Sequence, residues 1–219
     1  MTQANIQLYS LATPNGQKVS IALEEMNIPY DAHLINIMED DQFTDEYIKI
    51  SPNSKIPAMV DPDSPDGEPL TIMESGAILI YLAEKSGKFL SDNPRIRNET
   101  LQWLFFQVAH IGPMFGQFGH FYRYAKESCD HPYPVERYSK EAKRLLTVLD
   151  KRLDGQTFLV NDEYSIADIA TFPWVGCLDQ FYEAGEFLGL DEFKHLQQWY
   201  ERCASRPAAI RGAKVCAID

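Results

Sequence analysis

The chain has 219 residues, an apolar content of 45% and a net charge of −12 at neutral pH. The apolar content is ordinary for a globular protein, and the length suits one large domain or two small ones. The acidic balance argues against nucleic acid as a partner, because phosphate contacts need clustered Lys and Arg. The first 90 residues hold 5 Lys and Arg against 14 Asp and Glu, so an anionic ligand bound there needs a local positive site.

The first half of the chain alternates between strand-like and helix-like patterns. The predicted order is β-α-β-α-β-β-α, which is that of a thioredoxin-like domain. Strand–helix–strand units predict a parallel pair, and the tight return between the last two strands predicts an antiparallel edge. The predicted strands cover residues 5–10, 30–37, 58–60 and 70–72, and the predicted helices cover 19–26, 43–50 and 75–84.

The second half reads as helices only. Residues 86–98 predict a linker that ends in a helix cap. Ser165-Ile-Ala-Asp168 is a capping box, in which a Ser side chain and an acidic side chain three residues later satisfy the first N–H groups of a helix. We therefore predict two domains, a thioredoxin-like domain over residues 1–86 and an all-helical domain over residues 94–219.

The N-terminus has neither a basic segment nor a long apolar segment, so we expect no signal peptide. The longest apolar stretch, residues 101–121, is interrupted by polar side chains and Pro113, so we expect no membrane span and a cytoplasmic protein.

No cysteine pair has metal-ligand or Cys-x-x-Cys spacing, so we expect free thiols and no metal site. The four cysteines are Cys129, Cys177, Cys203 and Cys216.

Thr13-Pro14-Asn15-Gly16 follows the first predicted strand. In a thioredoxin-like domain this loop delivers a nucleophile at a helix N-terminus, where the helix dipole lowers the pKa of a thiol. Here Thr stands before Pro, so a thiol must come from a ligand. Thr13 can donate its hydroxyl to a thiolate and Asn15 its amide N–H; alternatively, Thr13 is only an N-cap. Tyr9, expected to face the core, and Ser10 are rivals for the same role.

Two further motifs follow. Pro57 stands directly before a short apolar strand, and Glu74-Ser75 stands where a turn becomes a helix. Ser75 and the N–H groups of its helix suit a carboxylate, while Glu74 suits an ammonium group. Lys55 can meet a second carboxylate, although a solvated surface lysine is the common alternative.

These motifs, in this order and spacing, resemble those of the glutathione transferases, and most closely the bacterial Nu-class members that act as glutathione-dependent disulfide-bond oxidoreductases. The resemblance extends from Leu8 to about Pro207. It implies a cis peptide bond before Pro57, which would expose the N–H and C=O of Ile56 to the cysteinyl backbone of glutathione. It also implies that Gln42 adds a ligand hydrogen bond and that Arg137 reaches a glutathione carboxylate.

Aromatic residues crowd the segment from residue 101 to residue 124. They predict a core helix and dimer face at Trp103 and Phe106. Alternatively, some of them wall a pocket for a second substrate. His110 and His120 have no partner spacing for a metal, so we expect structural roles for them. The expected pocket residues are Phe118, Phe121 and Tyr122.

The resemblance implies a homodimeric enzyme that uses the thiolate of bound glutathione to reduce small disulfides and forms glutathione disulfide. Conjugation of glutathione to electrophiles, as in detoxification, is the alternative reaction. A non-catalytic regulatory or binding protein on the same fold is the alternative from another class, because fold alone does not determine function.

Overall fold

The structure is a computed structural model that describes residues 5–218. Two compact units make up the chain. The first contains residues 5–90 together with 206–218, and the second contains residues 91–205. Residues 1–4, part of the segment expected not to be a signal peptide, lie outside the described residues.

A four-stranded mixed sheet forms the centre of the first unit, in the order β2-β1-β3-β4. β1 pairs with β2 in parallel, and β3 runs antiparallel to β4, as the sequence predicted; β3 also runs antiparallel to β1, which the sequence did not predict. β2 ends earlier than predicted, at residue 34 rather than 37. The strands are β1 Ile6–Ser10, β2 Tyr30–Leu34, β3 Ala58–Asp61 and β4 Leu70–Met73.

Three helices accompany this sheet: α1 Pro14–Met26, α2 Asp45–Ile50 and α3 Ser75–Ser86. α1 and α3 pack against each other, and their apolar faces form the core with the inner face of the sheet. Side chains without exposed surface include Leu8, Ile21, Met59 and Leu79. This packing fixes the N-termini of α1 and α3, where the predicted ligand-binding motifs stand.

The second unit is helical, as predicted, and its helices are α4 Pro94–Phe106, α5 Gly112–Gly119, α6 Tyr133–Leu153, α7 Ile166–Gln180, α8 Gly185–Leu188 and α9 Lys194–Ala204. α7 is buried over most of its length, so the unit is built around it. π-helical turns at Gln107–Ile111 and His120–Tyr124 flank α5. Such turns occur often at functional sites, and these two lie in the aromatic-rich segment.

The predicted capping box is present at the start of α7, with the Ser165 side chain and the Asp168 carboxylate in the expected roles. Asp168 is fully buried and also accepts hydrogen bonds from the N–H of Leu159 at 2.9 Å and from the indole Nε1 of Trp199 at 2.8 Å. One carboxylate thus satisfies donors from three parts of the unit. Removing it would leave buried N–H groups unpaired, which is costly.

Residues 206–218 return to the first unit, which differs from the predicted assignment of residues 94–219 to the helical domain. Their helix, α10 Pro207–Gly212, packs on α1. Ser20 Oγ donates to the carbonyl of Gly212 at 2.8 Å, and Arg206 Nη2 lies 2.8 Å from the Glu25 carboxylate. A Cβ at Gly212 would stand 2.6 Å from Ile21 Cα, so this close approach requires glycine.

No helix among residues 5–218 is both long and apolar enough to cross a bilayer. The four cysteines are free thiols, and Cys177 and Cys203 are buried. Cys216 lies in the segment that returns to the first unit, rather than in the helical unit as the predicted boundary required.

Candidate glutathione site

The loop after β1 brings Thr13 to the start of α1. Thr13 is the N-cap, and its Oγ1 accepts a hydrogen bond from the N–H of Gly16 at 3.4 Å, while Pro14 occupies the first turn. Thr13 is therefore an N-cap, and the cap leaves its hydroxyl hydrogen to donate elsewhere. Thr13 and Asn15 are both partly exposed at this helix end. A Cβ at Gly16 would stand 1.9 Å from the carbonyl oxygen of Leu11, so this tight loop requires glycine.

The two rivals of Thr13 are placed differently. Ser10 is buried with 1% of its surface exposed, and its Oγ donates to the carbonyl of Leu11. The expectation that Tyr9 faces the core is wrong. In β1 the fully buried face belongs to Ile6, Leu8 and Ser10, so Tyr9 points to the other side, where its ring stacks on His33 at 4.7 Å.

The peptide bond between Ile56 and Pro57 is cis, as the family resemblance implied. Pro57 is buried and Lys55 is exposed. The Lys55 carbonyl accepts hydrogen bonds from Tyr47 OH and from Ser51 Oγ, both at 2.8 Å, so α2 fixes this loop. Within residues 5–218 no hydrogen bond occupies the N–H of Ile56. An extended ligand backbone can pair with this edge as an added strand does.

Glu74 and Ser75 stand at the N-terminus of α3. Glu74 is the exposed N-cap and has a φ of 72°, a left-handed conformation that costs a residue with a side chain about 1–3 kcal/mol. Ser75 is mostly buried, with 8% exposed. Unsatisfied N–H groups at a helix N-terminus attract carboxylates, and the exposed Glu74 carboxylate suits an ammonium group beside them.

Lys18 joins this pair and was missed by the sequence analysis. It lies on the buried face of α1 with 2% of its surface exposed, and its Nζ donates a hydrogen bond to Ser75 Oγ at 3.2 Å. Burial lowers the pKa of Lys18 to about 7, and the negative charge of Glu74 opposes this shift. The available signal was helical spacing, which puts residue 18 on the same face as Ile21 and Ala22.

Gln42 lies in a 3-10 turn, Asp41–Phe43, just before α2. Its side chain is nine-tenths buried, and Nε2 donates to the carbonyl of Ile37 at 3.4 Å. Its Oε1 atom is buried and has no hydrogen-bond partner among the described residues. A buried amide oxygen in this state is ready to accept a hydrogen bond from a ligand or a water molecule.

The residues expected to line the second-substrate pocket, together with Arg137, belong to the helical unit. Phe118 has no exposed surface and stacks on Tyr122 at 5.0 Å, so it is a core residue and the prediction that it walls a pocket is corrected. Phe121 and Tyr122 are partly exposed, and Phe121 stacks on Tyr138 at 5.6 Å. Arg137 on α6 is half exposed and lies 4.0 Å from Glu141.

The family models agree with this architecture. Residues 12–85 match the glutathione S-transferase N-terminal domain, and residues 134–207 match its C-terminal domain. The chain belongs to the glutathione S-transferase family. The matched N-terminal range includes the start of α1, the cis-proline loop and the start of α3.

Relatives within the family are close. Two proteins of Escherichia coli, the disulfide-bond oxidoreductases YfcG and YghU, are 47% and 46% identical to this family member. The YfcG alignment covers 93% of this chain and 92% of YfcG, and the YghU alignment covers 94% and 73%. A glutathione transferase from Pseudomonas putida, solved with one glutathione disulfide per subunit, superposes with a TM-score of 0.94 at 51% identity, covering 96% of this chain and 91% of that one.

Proposed function

We propose that this protein is a glutathione-dependent disulfide-bond reductase. The observation that carries the proposal is the start of α1, where a threonine rather than a cysteine caps the helix that serves thiols in thioredoxin-like domains. The helix end is suited to a sulfur anion, and the residue at its N-cap carries a hydroxyl group rather than a thiol. Glutathione supplies the sulfur, and the similarity to the two Escherichia coli oxidoreductases supports this assignment.

Glutathione is held along the first unit by groups that match its parts. The backbone of Ile56, beside Pro57, pairs with the cysteinyl residue, Lys55 attracts the glycyl carboxylate, and Gln42 offers its amide oxygen. Glu74 and Ser75 receive the ammonium and the α-carboxylate of the γ-glutamyl end. Arg137 contacts the second glutathione of a bound glutathione disulfide, and Phe121 and Tyr122 border the second substrate.

The proposed reaction consists of two successive thiol–disulfide exchanges. The glutathione thiolate attacks one sulfur of the substrate disulfide, which forms a mixed disulfide and releases one substrate thiolate. A second glutathione thiolate attacks the glutathione sulfur of the mixed disulfide, which forms glutathione disulfide and releases the second substrate thiolate. Both released thiolates take up protons that the two glutathione thiols gave up. Thr13 and Asn15 donate hydrogen bonds to the attacking sulfur.

The deciding experiment is steady-state reduction of hydroxyethyl disulfide by glutathione, with the double variant Thr13→Ala, Asn15→Ala. We expect kcat to fall by about 100-fold, because the variant lacks both hydrogen-bond donors to the glutathione thiolate. Calorimetry should still show glutathione binding. Full activity of the double variant would refute the assigned roles. A parallel assay with 1-chloro-2,4-dinitrobenzene measures the alternative reaction, conjugation; wild-type protein inactive in both assays would support a non-catalytic binding protein.

We further infer a cytoplasmic homodimer. Four free thiols suit a reducing compartment. Association of two copies would also cover large apolar side chains that each unit exposes, such as Met38 and Phe43 in the first and Phe105 in the second. Sedimentation equilibrium should give twice the monomer mass, and a monomer at micromolar concentration would contradict the inference.

A further inference from the structure

The Lys18–Ser75 contact fixes the direction of a hydrogen bond. Nζ of a charged lysine only donates, so Ser75 Oγ must accept from it. The hydroxyl hydrogen of Ser75 is then available to a different acceptor. A carboxylate is acceptor-only, and it is the group expected at this helix end. With an uncharged Lys18, by contrast, Nζ can accept the Ser75 hydrogen and withdraw it from the ligand.

We propose that Lys18 is a positioning residue for the γ-glutamyl end of glutathione: its buried ammonium group forces Ser75 to donate to the α-carboxylate of the ligand. This inference rests on the proposed glutathione-binding function and adds a residue to it. Lys18 acts through Ser75 and supplies a positive charge behind the N-terminus of α3. Together with the exposed carboxylate of Glu74, it gives the site one cation and one anion to meet the ligand's carboxylate and ammonium.

A purely structural role for Lys18 explains the burial less well. Methionine would fill a similar volume without the cost of removing an ammonium group from water. Lys18 is 2% exposed, so the charged form is favoured there only by its hydrogen bonds and by nearby negative charge. A bound carboxylate adds a negative charge to that of Glu74 and therefore favours the charged form of Lys18 further.

α3 and α10 are the helices that pack on α1, and α3 contributes Glu74, whose charge acts on Lys18. On α3, Lys85 pairs with Asp61. The arginines of residues 206–218 pair with glutamates in the last turns of α1: Arg206 with Glu25, and Arg211 with Glu24.

These neighbours predict a pH dependence of binding. The pKa of Lys18 lies at about 7 in the ligand-free protein, and a bound carboxylate raises it because opposite charges favour the charged form. The ligand therefore binds best below pH 7, where Lys18 is charged already. Affinity is lost as the pH rises from about 7 through the higher pKa of the complex. Each unit by which the pKa of Lys18 in the complex exceeds its pKa in the ligand-free protein corresponds to about tenfold in affinity.

The test is calorimetric titration with S-methylglutathione, whose thiol cannot titrate, between pH 6 and pH 8.5. We expect the wild-type affinity to fall about tenfold across this range. Lys18→Met should bind about tenfold more weakly at pH 6 and show a flat profile. Lys88→Met is the matched control, since Lys88 Nζ donates to the carbonyl of Met26 in the same unit, and it should keep the wild-type profile.

A second ligand separates this role from general damage. The S-methyl derivative of 4-aminobutanoyl-cysteinyl-glycine keeps the ammonium but lacks the α-carboxylate, and Lys18→Met should not change its affinity. An equal loss for both ligands, or a flat wild-type profile, overturns the role of Lys18 while glutathione binding stands. Failure of the wild-type protein to bind S-methylglutathione at any pH overturns the proposed function and this inference together. If Lys18→Met does not fold, Ser75→Ala must flatten the profile.

Discussion

The carbonyl oxygen of Cys216 accepts a hydrogen bond from the backbone N–H of Ala12 at 3.1 Å, although the two residues lie far apart in the sequence. Ala12 directly precedes Thr13, so residues 206–218 hold the loop that we assign to the glutathione sulfur. Gln17 Nε2 adds a contact to the carbonyl of Ala213 at 3.3 Å. The geometry at the start of α1 therefore depends on a segment outside the thioredoxin-like sequence itself.

Gly212→Ala should weaken this attachment. The new Cβ would stand 2.6 Å from Ile21 Cα, so α10 must move away from α1. We expect the free energy of unfolding in urea to fall by about 1–3 kcal/mol, as for overpacking. Gly116→Ala is the control, because its Cβ would meet Trp174 at an ordinary 3.4 Å. Equal stability of the two variants would argue against a tight α1–α10 contact.

Ser75→Ala tests the carboxylate site. Loss of a hydroxyl that donates to a charged group should weaken glutathione binding by about 1–3 kcal/mol, measured by calorimetry at pH 6.5. Ser86→Ala, near the other end of α3, removes a hydroxyl that bonds the carbonyl of Ala83 and should leave the affinity unchanged. Unchanged affinity in both variants would remove Ser75 from the site.

Arg137→Ala tests the second glutathione. A cation that contacts only the second half of glutathione disulfide contributes nothing to one reduced glutathione, so the affinity for the disulfide should fall more. Arg144→Ala is matched to it, because both arginines face Glu141 on α6, and Arg144 Nη2 lies 2.7 Å from that carboxylate. Equal losses for the oxidised and reduced ligands would contradict the assignment.

None of the cysteines should be the nucleophile. Burial raises the pKa of Cys177 to about 12 and raises that of Cys216, so little of either thiol is ionised at neutral pH. A variant with Ala at Cys177 and Cys203 and Ser at Cys129 and Cys216 should keep its kcat for hydroxyethyl disulfide. A folded but inactive variant, with native circular dichroism, would show that a protein thiol takes part.

Most of the features that the sequence predicted correctly follow from short local motifs. Thr13-Pro14 places a cap and a first helical turn by short-range rules, and Glu74-Ser75 marks a helix start in the same way. The family resemblance added the cis bond before Pro57. The sheet followed from the order of its elements, since parallel pairing needs a crossover helix.

The features that sequence analysis missed depend on contacts between distant segments. Lys18 resembles a surface lysine until its neighbours on α3 are known. Phe118 resembles its partly exposed neighbour Tyr122, and only the packing of the helical unit separates the two. The return of residues 206–218 to α1 rests on contacts between residues nearly 200 positions apart, among them the close approach at Gly212, and such contacts have no signature in a single sequence.

This return also makes the helical unit an insertion within the first unit. Residues 91–205 are translated after the sheet and its first three helices but before α10, the partner of α1. During synthesis the outer face of α1, including Ser20, stays without its final cover until the whole helical unit has left the ribosome. The loop at Ala12, which donates to the carbonyl of Cys216, reaches its finished form only after that, so a segment made later completes one of the first segments folded.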